Sequence, residues 1–336
     1  MNSKKSHLNF FVGLCVISII LFFTFNFTTI AIAAEGKSDI KFITFASGTS
    51  DWGLIGAKVA EIINKDIPEI TATSIPGGGT INLSQVQSGE AQLGLVHSFL
   101  PYLAYNGLDI FKEKHTKIRV IMSLNVCKAQ VSVPFDSDIT SISDLIKKPY
   151  SVYISTPGQG TYIIIQKTFE AFGITPEKIS EIGGIVHTVG LNDGARMMKD
   201  RMLDFFFSAS SVPNPLLMDI DFSIGIKLLP IDGEAREKLL NSLPGLVEGV
   251  VPANSYKKQD KDVPTVSFFN QIICNSELPD DLVYEITAAI VNHFPEFKEL
   301  SASLKELSLD MATLGTGIPF HPGAEKYYIE HDMFKK

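Results

Sequence analysis

Three glycine-rich segments are the places where this sequence could hold a small molecule. They are residues 48–53 (GTSDWG), 76–83 (PGGGTINL) and 155–161 (STPGQGT). Glycine lets backbone N–H groups approach an anion closely, and threonine or asparagine adds side-chain donors. A helical pattern follows each segment, and the start of a helix offers free N–H groups and a positive dipole end. A carboxylate or phosphate therefore suits these segments. The alternative is that the glycines only permit tight turns.

Patterns typical of other chemistries are missing from the sequence. Residues 158–161 lack the spacing and lysine of a P-loop, and residues 77–79 lack the Rossmann spacing. There is no G-x-S-x-G nucleophile motif. His321 and His331 stand ten residues apart, and we interpret them as packing or surface residues rather than zinc ligands. The sequence thus predicts no catalytic residue, no cofactor and no metal.

The charge pattern argues against a nucleic-acid partner. The net charge is −8, and the 336-residue chain contains four arginines and no basic stripe. A chain of this length is large enough for one large or two medium cores.

Strand-like and helix-like patterns alternate along the chain and would position the three segments. The predicted strands are residues 40–45, 70–75, 93–96, 120–124, a short one at Val131, 150–154 and 205–207. The predicted helices are residues 55–67, 163–172, 279–294 and a stretch from Ser301 that then becomes irregular. This rhythm is typical of a doubly wound α/β protein, in which ligands bind at the carboxyl ends of strands.

The strands fall into two sets that meet at about Asn125, which suggests two α/β lobes. We assign residues 38–124 and 265–336 to lobe I, and residues 125–264 to lobe II. Cys127 and Cys274 each follow a segment where the chain should cross between lobes. They are interpreted either as buried free thiols or as one disulfide.

The first residues read as an export signal. Lys4 and Lys5 precede an almost wholly apolar run over residues 10–25, and Ala31-Ile32-Ala33-Ala34 follows. A basic start, an apolar core and a small-x-small end are typical of a secretory signal peptide. We therefore predict a signal peptide over residues 1–34 and a periplasmic or extracellular protein. The alternative is an uncleaved membrane anchor.

Several motifs in a fixed order resemble the TAXI family of TRAP-transporter solute receptors. The matching segments are PGGGTINL at 76–83, SGEAQLGLVHS at 88–98, ITSISDL at 139–145, TPGQGT at 156–161, VPANSYKKQDKDVPTV at 251–266 and IPFHPGAEKYY at 318–328. The resemblance covers nearly the whole chain after the signal segment. It implies a two-lobed periplasmic-binding-protein type II fold with two crossover strands and a central ligand cleft.

The resemblance also implies a function and a site. The ligand would be a small carboxylate or amino acid such as glutamate or 2-oxoglutarate, and the partner would be the membrane subunit of an ion-gradient-driven TRAP transporter. The site positions carried over are Gly78, Gly79, Thr80, Asn82, Ser98, Gly158, Gln159, Gly160 and Thr161. To these we add Trp52, the only tryptophan, together with Thr49 from the same loop, and His97.

Departures from the family pattern leave the ligand open. Gly79 and Gln159 each replace a serine, and His97 and Phe99 stand where the family often has Gln and Asp. The first loop is about two residues shorter than the family's loop. Two further interpretations remain: a binding protein for an ABC importer or a membrane sensor, and an exported enzyme on the same fold. The lack of a paired acid and base or of a nucleophile motif argues against the enzyme.

Overall fold

The computed structural model describes residues 40–334 as a mixed α/β structure. Its strands are β1 (Phe42–Ala46), β2 (Thr71–Ile75), β3 (Leu93–His97), β4 (Ile118–Pro134), β5 (Ser151–Ile154), β6 (Ile185–Thr188), β7 (Phe206–Ser210), β8 (Ile226–Leu229), β9 (Val247–Val251) and β10 (Val263–Asn275). Its first helices are α1 (Ser50–Asp66), α2 (Gly79–Ser88), α3 (Leu100–Asn106), α4 (Gly160–Ala171), α5 (Pro176–Glu181) and α6 (Leu191–Lys199). The later helices are α7 (Pro215–Ile224), α8 (Gly233–Ser242), α9 (Asp280–Asn292), α10 (Phe294–Phe297) and α11 (Pro322–Glu330).

One large sheet organises the described residues. Its strand order is β2-β1-β3-β10-β4-β7, with β8 also paired to β4 and β9 to β10. The pairs β2-β1 and β1-β3 are parallel, whereas β10 is antiparallel to both β3 and β4. β5 and β6 form a separate parallel pair. The α/β class predicted from the sequence is confirmed.

The strands β4 and β10 carry the chain across the molecule. They pair with each other from Ile118 opposite Asn275 to Lys128 opposite Ser267. Beyond that stretch β4 pairs with β7 and β8, and β10 pairs with β9. These are the two crossover strands of the expected two-lobed fold.

The prediction of separate strands on either side of Asn125 was wrong. β4 is one strand of 17 residues that runs through Asn125 and Val131. Residues 118–133 contain neither glycine nor proline, so nothing in the local sequence ends the strand.

Two hydrophobic clusters form the core of the described chain. One is built from residues of predicted lobe I, among them Ile55, Ile121, Ile286 and Tyr328. The other contains Tyr153 and Phe206 from predicted lobe II together with residues such as Leu100. The lobe boundaries at residues 124/125 and 264/265 stay a prediction.

The disulfide interpretation of the cysteines was wrong. Both Cys127 and Cys274 are buried free thiols. Cys274 pairs with Arg119 across the sheet, eight positions along β4 from Cys127. At ~3.4 Å per residue the two cysteines are about 27 Å apart, far beyond the roughly 7 Å between Cα atoms that a disulfide spans.

The C-terminal tail reverses the predicted order of helix and irregular chain. Short 3₁₀ turns at Ala302–Leu304 and Leu309–Met311 come first, and the helix α11 follows. His321 caps α11: it is fully buried, its Nδ1 accepts from Gly323 N, and its Nε2 lies 3.1 Å from the carbonyl of Leu278. His321 is therefore a packing residue, as predicted.

None of the helices within residues 40–334 has the length and apolar character needed to cross a bilayer. The predicted signal peptide over residues 1–34 lies outside the described residues.

Candidate functional site

The first predicted loop becomes the start of α1. Thr49 is exposed and precedes the helix without capping it through its side chain. Trp52 is half-buried; its indole N–H donates to Asn270 Oδ1 at 3.1 Å, and its ring meets that of His97 edge-on at 5.0 Å. Asp51 lies in the first helical turn, where its charge already complements the positive helix end.

The second predicted loop is held in place by Asn82. This side chain is fully buried; its Nδ2 donates to Ser47 O at 2.7 Å and Leu95 O at 2.6 Å, and its Oδ1 accepts from Gly78 N at 3.0 Å. A Cβ on Gly77 would fall 2.0 Å from Asn82 Oδ1. Asn82 therefore holds the loop against β3 and the end of β1. All the hydrogen bonds of its side-chain amide go to backbone atoms.

The end of β3 brings two predicted site residues to different surroundings. Ser98 is fully buried; its hydroxyl donates to Gly245 O at 2.7 Å and accepts from Phe269 N at 3.0 Å. It joins three segments rather than presenting a free hydroxyl. His97 is different: its Nδ1 is shielded from solvent and has no hydrogen-bond partner among the described residues.

The third predicted loop leads into α4. Gly158 has φ of +87°, in the left-handed region that favours glycine. Gly160 is buried, and a Cβ there would fall 2.7 Å from His97 Nδ1. Gln159 is exposed, and Thr161 is half-buried in the first turn. The side chain of Thr161 makes no hydrogen bond to any described residue.

The second and third loops meet. Thr80 Oγ1 donates to the carbonyl of Gly158 at 2.7 Å. The methyl Cδ1 of the buried Leu100 lies 2.8 Å from the position that a Cβ on Gly79 would take, and 3.3 Å from the corresponding position on Gly160. Glycine at 79 and 160 thus allows both loops to lie close to Leu100. These two glycines therefore do more than permit a turn. Gly78 borders open space, because a Cβ there would meet nothing within 4 Å.

No side chain of α2 or α4 balances the positive charge at the start of its helix. Neither helix has a side-chain cap, and neither has an acidic residue in its first turn. By contrast, the side chains of Thr175 and Asn214 cap α5 and α7. The first N–H groups of a helix have no partner within it. Two positive helix ends with free donors therefore lie side by side.

The ring of His97 is neutral and faces the starts of α2 and α4. Burial lowers its pKa to about 4 from an ordinary value near 6.5. Trp52, Phe99 and Phe268 surround it, with ring centroids 5.0, 5.7 and 4.9 Å away. It therefore presents one donor and one acceptor nitrogen at neutral pH.

Two residues of the site were missed from the sequence, Asn125 and Asn270. Asn270 lies opposite His97 on the neighbouring strand, and its Nδ2 donates to Asn125 Oδ1 at 2.9 Å. The β4–β10 register shifts here, so that Leu124 and Asn125 together face Asn270. Such a bulge re-aims side chains. The available signal was an asparagine inside each of two mostly apolar runs, IMSLNVC and FFNQIIC.

Comparison with known proteins identifies the family. The model of the NMT1-like family matches residues 43–331. The chain belongs to the NMT1-like family.

Solved structures show the same fold at low sequence identity. The XAC2383 protein from Xanthomonas citri, bound to chloride ion, superposes with a TM-score of 0.52 at 9% identity over 87% of this chain and 96% of its own. A TctC solute-binding protein from Polaromonas, without ligand, gives a TM-score of 0.50 at 14% identity over 88% of this chain and 98% of its own. The predicted two-lobed type II fold is confirmed.

Proposed function

We propose that this protein is an extracytoplasmic solute receptor that captures a small carboxylate and delivers it to a TRAP-type, ion-gradient-driven transporter. The two-lobed fold supports a receptor, because its strand-to-helix loops at the starts of α1, α2 and α4 lie close together. The Polaromonas protein of the same fold is described as a solute-binding protein.

The observation that carries the proposal is the pairing of two uncapped helix ends. The starts of α2 and α4 are linked by the Thr80–Gly158 hydrogen bond, and both lack acidic residues in their first turns. A carboxylate placed there accepts from otherwise unpaired N–H groups and meets two positive dipole ends. Thr161, with its unused hydroxyl, would add a donor.

Capture without chemical conversion is part of the proposal. His97 makes no hydrogen bond to a carboxylate or a hydroxyl within residues 40–334, whereas a general base that activates a nucleophile is oriented by such a partner. Incubation with each ligand followed by mass analysis should return the ligand unchanged.

The transporter type rests on the TAXI resemblance. Its motifs PGGGTINL and TPGQGT occupy the starts of α2 and α4, and the family's known ligands are carboxylates such as glutamate and 2-oxoglutarate. Membrane vesicles that contain the receptor and its transporter should take up ligand without ATP. This uptake should stop when an ionophore collapses the ion gradient. ATP-dependent uptake would instead favour an ABC importer.

Binding itself is tested by a thermal-shift screen followed by calorimetry. The screen compares small carboxylates and amino acids with amines and neutral apolar molecules of similar size. Ligand at 100 times its Kd should stabilise the folded state by ~2.7 kcal/mol. Stabilisation by an amine or an apolar molecule, and by no carboxylate, would contradict the proposal.

The export part of the proposal is tested separately. N-terminal sequencing of protein recovered from the cell envelope should begin after Ala33 or Ala34. An intact Met1 would indicate an anchored protein.

A further inference from the structure

A row of neutral polar side chains crosses three neighbouring strands beneath the two helix ends. His97 ends β3, Asn270 lies opposite it on β10, and Asn125 lies next to Asn270 on β4. Asn125 and Asn270 are only 5% and 4% exposed. Buried amides of this kind need hydrogen-bond partners, so the direction of each bond in the row matters.

Trp52 fixes the direction of the hydrogen bonds that run through the two asparagines, which we call the relay. An indole N–H can only donate, so Asn270 must turn its Oδ1 towards Trp52 Nε1, at 3.1 Å. The Nδ2 of Asn270 then donates to Asn125 Oδ1, at 2.9 Å. The oxygen and nitrogen of an amide are hard to distinguish by shape, but here the chemistry of the indole assigns both asparagines.

The far end of this relay is the Nδ2 of Asn125. It has no hydrogen bond to another residue in the described range. The relay therefore presents an N–H pair, and the group that satisfies it must be a hydrogen-bond acceptor.

The surroundings disfavour a second negative charge at that acceptor. The three loops and the row contain no lysine or arginine, and Asp51 adds a negative charge at the start of α1. A buried carboxylate without a cation is costly. A neutral carbonyl or hydroxyl oxygen satisfies the N–H pair without that cost.

Resting on the proposed function, we infer that Asn125 is a specificity-determining residue, and that the ligand is a monocarboxylate with a neutral acceptor group at its other end. Its carboxylate lies at the starts of α2 and α4. Its amide, keto or hydroxyl oxygen accepts from Asn125 Nδ2. Dicarboxylates are poorer ligands than their half-amides.

Calorimetry on the wild-type protein with matched ligand triplets tests this inference without any variant. One triplet is butanoate, succinamate and succinate, and the next longer one is pentanoate, glutaramate and glutarate. In the triplet that fits, the half-amide should bind at least fivefold more tightly than either relative, because each of these leaves the Asn125 donors unpaired or adds an uncompensated charge. Equal or tighter binding of the dicarboxylate or the alkanoate overturns the inference.

Two variants test the roles of the residues. Asn125→Asp removes the N–H pair and should abolish the preference for the half-amide. Trp52→Phe releases the fixed direction of the relay and should reduce that preference several-fold. Asn106→Asp, at the end of α3, is the matched control and should leave the preference unchanged. A preference that survives Asn125→Asp in a folded protein also overturns the inference.

Failure of the inference and of the proposed function differ in outcome. If carboxylates bind but the dicarboxylate is preferred, only the inference fails. If no carboxylate binds, the proposed function fails and the inference fails with it.

Discussion

The hydroxyl of Thr80 donates to the carbonyl of Gly158 at 2.7 Å, although the two residues are 78 positions apart in the chain. Thr80 belongs to predicted lobe I and Gly158 to predicted lobe II. Lys167 and Asp109 form an ion pair at 3.0 Å between the same two parts of the chain. Direct contacts thus join the two predicted lobes in the described form, and the bond from the Ser98 hydroxyl to Gly245 O is a further one.

Thr80→Val should weaken ligand binding by about three- to tenfold, because it removes the neutral hydrogen bond that holds the starts of α2 and α4 together. Calorimetry with the best ligand of the screen measures the effect. Thr73→Val, on an exposed position of β2, serves as the control. Unchanged affinity in Thr80→Val would show that the Thr80–Gly158 contact plays no part in binding.

Thr161→Val should weaken binding by about tenfold to a hundredfold, since a charge-assisted hydrogen bond to the carboxylate contributes roughly 1.5–3 kcal/mol. The melting temperature without ligand should stay nearly the same, because the Thr161 hydroxyl bonds to no described residue. Calorimetry and thermal unfolding of the purified variant check both statements.

Thr49→Val is the informative comparison for Thr161→Val. Thr49 was predicted as a site residue but is exposed, so we expect less than a twofold effect on affinity. Loss of binding in Thr49→Val with none in Thr161→Val would move the anion site from α4 to α1.

Local sequence predicted the elements and the loops better than the roles of individual side chains. Glycine clusters after strands located the starts of α2 and α4. The close approach at Gly79 and Gly160 requires glycine, and glycine can be read directly from the sequence. Asn82 and Ser98 carry donors and acceptors that looked suited to a ligand, yet the backbone uses them. The opposite holds for Asn125 and Asn270, whose position depends on a bulge between strands about 145 residues apart.

Removing Asn82 should destabilise the protein. Asn82→Ala leaves two carbonyls and one N–H without their partner in a buried place, and the expected cost is about 2–4 kcal/mol in the free energy of unfolding. Urea unfolding measures it. Asn106→Ala loses a single bond, to Tyr102 O, and should cost under ~1 kcal/mol; similar losses in both variants would contradict the structural role of Asn82.

Cys127 and Cys274 should be unreactive while the protein is folded. Burial raises the pKa of the Cys127 thiol to about 12 and raises that of Cys274 as well, so almost no thiolate is present at neutral pH. Alkylation followed by peptide mass mapping should label both cysteines only after unfolding, without reductant. A Cys127–Cys274 disulfide peptide in the unreduced sample would contradict the free thiols.

His97 should make folding stability sensitive to acid. Because burial lowers its pKa in the folded state to about 4, the unfolded chain binds more protons between about pH 6.5 and pH 4. Stability from the neutral ring is therefore complete above about pH 6.5 and falls as the pH drops through this window, by up to ~1.4 kcal/mol per pH unit. His97→Leu removes this contribution. The unfolding free energy of the wild type minus that of the variant should therefore decrease as the pH falls.

Urea unfolding at intervals of about one pH unit from pH 7.5 to 4.5 follows that difference. Subtracting the variant removes the contributions of the other titrating groups, including His321, whose pKa is also lowered by burial. His115→Leu is a second test of the same principle, because its Nδ1 is likewise buried without a partner among residues 40–334 and burial also lowers the pKa of His115; its difference should change with pH in the same direction. A wild-type-minus-variant difference that is constant with pH would mean that His97 is already free to take up a proton in the folded protein.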